Sequence, residues 1–197
     1  MAHHIYHTRG LILGSVPTRE SNKYYRIFTE ELGLVGATAQ AVRKHTSKLR
    51  YTLQDFSWIK VDLVRGREVW RITSAIAHEG DEGSQGEVFS ENRVLFARVC
   101  ALVARLVHGE EQNSILFREL SNITEFLKKE DIPTSLHSSF ETLATMRVLS
   151  YLGYDNFELY KDFVQHTEWT PRLLTSFENV RLTALPDVNN VLNETHL

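Results

Sequence analysis

Several of the usual carriers of chemistry are missing from this chain or nearly so. It has a single cysteine, Cys100, which rules out an internal disulfide and a cysteine-based zinc site. Flanked by Val99 and Ala101, that thiol reads as a small apolar core group. No apolar run nears the ~20 residues of a membrane-spanning helix. The opening Met1-Ala2-His3-His4-Ile5-Tyr6-His7 lacks the apolar core of a signal peptide, so a cytoplasmic protein is expected. There is no Walker motif, no Gly-x-Gly-x-x-Gly and no Gly-x-Ser-x-Gly. His166-Thr167-Glu168 copies the His-x-Glu of zinc deaminases without their Pro-Cys-x-x-Cys. His3, His4 and His7 have no cysteine or carboxylate cluster beside them and read as part of a frayed terminus. The expectation is a non-enzymatic protein with no catalytic residue, no metal site and no cofactor.

What is present is unevenly distributed. The 197 residues carry a net charge of −3. Residues 1–80 hold 12 Lys and Arg against 7 Asp and Glu, a net +5, whereas residues 81–197 hold 10 against 18, a net −8. A basic first part joined to an acidic second part suggests a division of labour, one half for a polyanion and the other for packing or a protein partner.

The most informative stretch is Ala41-Val42-Arg43-Lys44-His45-Thr46-Ser47-Lys48-Leu49-Arg50. It contains four basic residues and no acid. A basic, hydroxyl-bearing loop between two strands suits phosphate contact, with Arg43, Lys44, Lys48 and Arg50 supplying charge and Thr46, Ser47 and backbone amides supplying neutral donors. A solvated loop, basic by chance, is the plainer reading. Single-strand grooves also need aromatic faces for the bases. Tyr24, Tyr25, Tyr51 and Trp58 are interleaved with Lys23, Arg26, Arg50 and Lys60. Tyr24 and Tyr25 must point to opposite faces of a strand, leaving one for the core and one for a ligand. The candidate nucleic-acid-binding set is Arg43, Lys44, Ser47, Lys48, Arg50, Lys23, Arg26 and Tyr51.

The periodicity divides the chain. Ile5 to Val16, running to a turn at Pro17, reads as a strand, as do Tyr24 to Phe28 and Leu34 to Ala39. Phe56 to Val64 alternates strictly, with Ile59, Val61 and Leu63 on one face. Val69 to Ile76 completes a fifth strand. Five strands in about 80 residues predict a small closed barrel, and the OB-fold is the common nucleic-acid-binding barrel of that size. Residues 81–88, polar and glycine-rich, read as a linker. From there the period is helical. Ser90 caps a helix with Val94, Leu95, Val99, Leu102, Val103 and Leu106 inward. Ser114 caps the next, and Phe140 to Leu152 forms a third. Phe157, Tyr160, Phe163 and Val164 suggest a fourth. Thr170-Pro171 opens a fifth. The predicted architecture is α+β: an OB barrel over 1–80, a helical domain over 89–185, and a frayed tail over 186–197.

In order and spacing these segments resemble the RecO family of bacterial recombination mediators. Gly10-Leu11-Ile12-Leu13 is similar to the family's first strand, and Arg19-Glu20-Ser21 to the turn after it. Phe28-Thr29-Glu30-Glu31-Leu32-Gly33 resembles its Thr-Glu-x-x-Gly turn. Val42 to Arg50 with Leu53-Gln54-Asp55-Phe56 resembles its basic loop. Phe140-Glu141-Thr142-Leu143 and Leu149-Ser150-Tyr151-Leu152-Gly153-Tyr154 resemble its Phe-Glu…Leu-Gly-Tyr helix. There are departures. Gln40-Ala41 stands where the family usually has a glycine, a position suited to positive φ. The four-cysteine zinc module of many members is missing. Ser138 and Ser139 stand where some members have arginines.

The resemblance implies a DNA repair and recombination protein associated with the nucleoid. It would bind single- and double-stranded DNA through the barrel, anneal complementary strands, and help load recombinase with a RecR-like protein and the C-terminal tail of single-strand-binding protein. The alternatives are a protein-interaction adaptor on the same scaffold with little DNA affinity, and an RNA-binding OB protein.

Overall fold

The computed structural model describes residues 4–78, 92–155 and 157–195, which form two compact units. The expected linker at 81–88, the Ser90 cap and His3 lie outside the described residues.

The first unit is a closed barrel of five strands in the order β1-β2-β3-β5-β4, as expected for an OB-fold. Its strands are β1 (Ile5–Thr18), β2 (Asn22–Thr29), β3 (Gly33–Ala39), β4 (Trp58–Arg65) and β5 (Trp70–Ala77). The long β1 serves two partners. Residues Ile5 to Leu11 pair with β4 and Gly10 to Thr18 with β2, with a bulge between Ile12 and Gly14. Closure comes from a short parallel contact in which Ala37 and Thr38 of β3 meet Trp70 and Arg71 of β5. Val16, Tyr24, Thr38, Arg71, Val64 and Ile5 form one lateral row around the barrel, returning to β1 eleven residues from its start. That offset reflects the strand tilt that closing a small barrel requires.

The barrel interior is built from alternate residues: Tyr25 and Ile27 on β2, Val35, Ala37 and Ala39 on β3, and Ile59, Val61 and Leu63 on β4. The alternation expected for β4 is therefore present. Its start differs, because Phe56 has φ +71° and cannot extend a strand. Pro17 also makes no turn. It pairs with Lys23, and the chain reverses at 19–21 instead, where Arg19 takes φ +52°. The segment Val107–Ser114, distant in sequence, belongs to this unit. Glu110 there accepts from Trp70 Nε1 at 2.7 Å and pairs with Arg65 at 3.1 Å.

The second unit is helical: α2 (Asn92–Leu106), α3 (Ser114–Lys129), α4 (His137–Tyr151), the single turn α5 (Lys161–Val164) and α6 (Pro171–Glu194), following the one-turn α1 (Leu49–Thr52) of the barrel unit. Helix α4 is buried over most of its surface, including Phe140, Ala144, Met146 and Val148, as a central helix must be. It ends in a Schellman motif at Gly153, φ +80°. Tyr154 N–H donates to Leu149 O and Gly153 N–H to Ser150 O, both at 3.0 Å, so the Leu-Gly-Tyr run is a helix stop. Asn92 Nδ2 donates to the carbonyls of Leu127 and Glu130 at 2.9 and 2.8 Å, closing the end of α3.

Three helical expectations are corrected. Val94 is exposed, and Phe96 and Cys100 take the inward positions on α2 instead. The predicted fourth helix is a 3-10 turn at Glu158–Tyr160 followed by α5. The tail from Pro186 does not fray, since α6 continues to Glu194 and buries Val188 and Val191. Ala184, Val188 and Val191 keep helical spacing past the proline, whose ring lies on the exposed side, so solvent can reach the carbonyl it leaves unpaired. The Thr170 cap is as expected: its Oγ1 accepts from Leu173 N–H at 3.1 Å, with Pro171 at the first helical position. Among the described residues no helix is long and apolar enough to cross a membrane.

Candidate nucleic-acid interface

The basic stretch is a plug seated in the barrel end. Val42 and Leu53 are both almost wholly buried in the barrel core, with Leu49 packed partly against it. Between these anchors the chain makes tight turns and then α1. Lys44 N–H donates to Ala41 O at 3.1 Å, Ser47 N–H to Lys44 O at 3.0 Å, and Leu53 N–H to Leu49 O at 2.9 Å. The segment returns to the sheet through Phe56 N–H to Ile12 O at 2.8 Å and Ile12 N–H to Ser57 O at 3.1 Å. With the apolar side chains inward, Arg43, Lys44, Lys48, Arg50 and Tyr51 are left exposed, and Ser47 is half-buried.

The entry to the plug is tied to the β1–β2 turn. Ala41 adopts φ +53°, so the left-handed conformation is present although alanine occupies the place. Its N–H donates to Asn22 Oδ1 at 2.9 Å. Arg43 N–H donates to Ser21 O at 3.0 Å. The Arg43 guanidinium reaches Glu20 O at 3.1 Å and Arg19 O at 3.5 Å through Nη1.

The candidates differ in what they already hold. Arg50 Nη1 lies 3.1 Å from His45 Nδ1, and Gln54 donates its side-chain amide to Arg50 O. Lys23 is half-buried and donates to Ser15 Oγ at 3.1 Å, and Ser15 donates to Asp55 at 2.6 Å. Lys23 also lies 5.8 Å from the Tyr25 ring centroid. Tyr25 is wholly buried and Tyr24 is not, as their opposite faces require. Burial, helped by the charge of Asp55, pushes the Tyr25 hydroxyl up to about 12. Trp58 is buried and is not a surface stacking platform.

A second cationic position lies on the outer sheet face. Tyr24 of β2, Thr38 of β3 and Arg71 of β5 are lateral neighbours. The Tyr24 ring lies across Gly36, where an added Cβ would sit 2.0 Å from its hydroxyl oxygen. Arg26 is paired opposite Gly14 and Gly36. Glycines on both sides of Arg26 leave room for the Tyr24 ring to lie along the sheet, and both side chains are half-buried. Barrels of this kind bind oligonucleotides on the face of strands 2 and 3. Sequence reasoning missed Arg71, because only the parallel β3–β5 closure brings it beside Tyr24. It missed Asn22 as well, since a polar residue after a turn carries no sign of a partner 19 residues later.

The histidines are engaged singly. His7 Nδ1 lies 2.6 Å from Asp62 Oδ1, and His166 Nδ1 3.0 Å from Glu168 O. Among the described residues no group of three or more His, Cys, Asp or Glu could hold a metal ion.

Residues 1–80 match the family described as recombination protein O, N terminal. The chain is 24% identical over 152 residues to the DNA repair protein RecO of Clostridium novyi, covering 77% of this chain and 58% of that one. It is 26% identical over 146 residues to the protein of the same name from Caldicellulosiruptor saccharolyticus, covering 74% and 57%. With that of Gloeothece citriformis it shares 32% over 132 residues, covering 67% and 46%. The chain therefore spans about half the length of these relatives.

Proposed function

Because this chain belongs to the RecO family, we propose that it is a DNA-binding protein of recombinational repair that works without catalysis. The barrel unit grips the phosphate backbone of single- and double-stranded DNA through Lys44, Lys48 and Arg50. Tyr51, Tyr24, Arg26 and Arg71 offer further stacking and cationic contacts. The helical unit serves protein partners, a RecR-like protein and the acidic tail of single-strand-binding protein. Together they anneal complementary strands and help load recombinase.

The observation that carries this reading is the anchored plug. Val42 and Leu53 are buried in the core while every basic side chain between them is exposed. A loop that was basic by chance would have no need of such anchoring. A rigid presentation lowers the ordering cost of binding, and several cations close together act on a polyanion jointly.

The test is a salt titration of the full chain on labelled single- and double-stranded DNA. The reading predicts affinity that falls steeply and linearly in log–log form with salt on both substrates. Absence of binding to either at low salt, with retained capture of a RecR-like protein, would favour a protein adaptor instead. Preference for RNA over DNA of the same sequence would favour an RNA-binding protein.

A further inference from the structure

Arg43 and Asn22 direct their side-chain polar groups at the backbone of neighbouring turns. The Arg43 guanidinium donates to two carbonyls of the β1–β2 turn, Glu20 O and Arg19 O, and its own N–H donates to Ser21 O. Asn22, the first residue of β2, accepts from Ala41 N–H at 2.9 Å. These contacts tie residues 19–22 to residues 41–43 at the point where the basic plug leaves β3. Ala41 at φ +53° is the hinge between them, a conformation that a non-glycine residue keeps only when its surroundings hold it.

We propose that Asn22 and Arg43 are positioning residues of the nucleic-acid site: they clasp the plug to the β1–β2 turn and so fix Lys44, Lys48 and Arg50 in register with the phosphates. Arg43 does not itself count as a phosphate contact. The inference rests on the DNA-binding reading above, and it assigns a role in that site to an uncharged residue outside the basic stretch.

The physical consequence is specific. Removing an uncharged side chain should not alter the number of counterions released, unless that side chain holds the charged ones in place. Replacing Asn22 by Ala takes away the acceptor for Ala41 N–H and frees the hinge. Lys44, Lys48 and Arg50 then fail to engage together.

The experiment uses the full chain and a fluorescently labelled oligothymidylate. Binding is measured by anisotropy across a salt series for the wild type, Asn22→Ala, Arg43→Ala and the double variant. The clasp predicts that Asn22→Ala lowers the log–log salt slope by about 0.7 or more, one single-strand contact at least. It also predicts that the double variant is no worse than the weaker single, because both act through one element. Amide exchange over residues 41–47 without DNA should quicken in both singles. An Asn22→Ala slope equal to wild type, with Arg43→Ala lower by about 0.7, would make Arg43 an ordinary phosphate ligand and overturn the clasp. A wild-type protein that binds no DNA would instead remove the functional reading, and the exchange data would still report the clasp.

Should Asn22→Ala lower the melting temperature by more than about 10 °C, Arg43→Lys carries the test. It keeps the charge and loses the guanidinium reach to the two carbonyls. A slope reduced as in Arg43→Ala supports the clasp, and a wild-type slope overturns it.

Discussion

Arg147 and Glu119 form an ion pair at 2.9 Å inside the helical unit, with side-chain exposures of 0% and 3%. The pair is fully supported. Arg147 Nε and Nη2 donate to Phe163 O at 3.1 and 2.9 Å, and the guanidinium lies 4.4 Å from the Trp169 ring centroid. Trp169 Nε1 donates to the same Glu119 oxygen at 2.8 Å. One carboxylate thus ties α3 to α4 and to the residue before the Thr170 cap, and the guanidinium adds the end of α5.

Breaking such a pair from one side leaves an uncompensated buried charge, which costs about 3–5 kcal/mol. Arg147→Met and Glu119→Leu are each expected to destabilise the helical unit by that amount. The double variant should lose less than the sum, since it leaves no stranded charge. Urea unfolding followed by circular dichroism measures both. Single variants within about 1 kcal/mol of wild type would mean that the pair contributes little beyond packing.

The second prediction concerns Ala41. A left-handed conformation costs an L-residue roughly 1–2 kcal/mol, and glycine gives back about 0.5–1 through unfolded-state entropy. Ala41→Gly should therefore raise barrel stability by about 0.5–1 kcal/mol. Ala41→Val, with a branched Cβ, should lower it. Thermal unfolding of the two variants checks the sign, and a destabilised glycine variant would show that the alanine methyl group makes a needed contact.

Tyr25 supplies a pH dependence. Its hydroxyl is buried, lacks a hydrogen-bond partner among the described groups, and is held up to about 12 by burial and Asp55. The unfolded chain ionises this phenol near its usual value of about 10. The contribution to stability is complete below that value and is lost as pH rises from about 10 towards 12. Tyr25→Phe should remove this part of the alkaline loss and cost little at neutral pH. Unfolding at several alkaline pH values, for both proteins, reads the difference. An unchanged alkaline limb would place the sensitivity elsewhere.

Much of this fold is legible in the sequence. Period-two alternation over Ile59, Val61 and Leu63 located a strand and its inner face, and Thr170-Pro171 located a helix start, because both signals are local. The basic plug was legible as charge but not as architecture. Val42 and Leu53 are eleven positions apart in an irregular segment, so no periodicity marks them as a pair of anchors. Phe56 carries an aromatic side chain suited to a strand and sits at positive φ because the chain must turn back onto Ile12. The polar stretch from Pro186 reads as a frayed tail, yet the helix continues because Val188 and Val191 bury apolar surface beyond the proline. Helix α4 is buried over most of its surface, so its sequence carries little polar face to contrast with the apolar one. Asn22, Arg43 and Arg71 gain their meaning only from partners brought close by the closed barrel.

The central claim is that the cations on the anchored plug, not the net charge of the barrel, carry nucleic-acid binding. The most direct measurement is the salt dependence of single-strand binding for Lys44→Ala, Lys48→Ala and Arg50→Ala combined, against wild type, in the full chain. Each lost contact lowers the log–log slope by about 0.7 on single strands, so the triple variant is expected to lose up to about 2 and to bind all sequences more weakly alike. A triple variant that keeps the wild-type slope and affinity would contradict the account and move the site to the Tyr24–Thr38–Arg71 face.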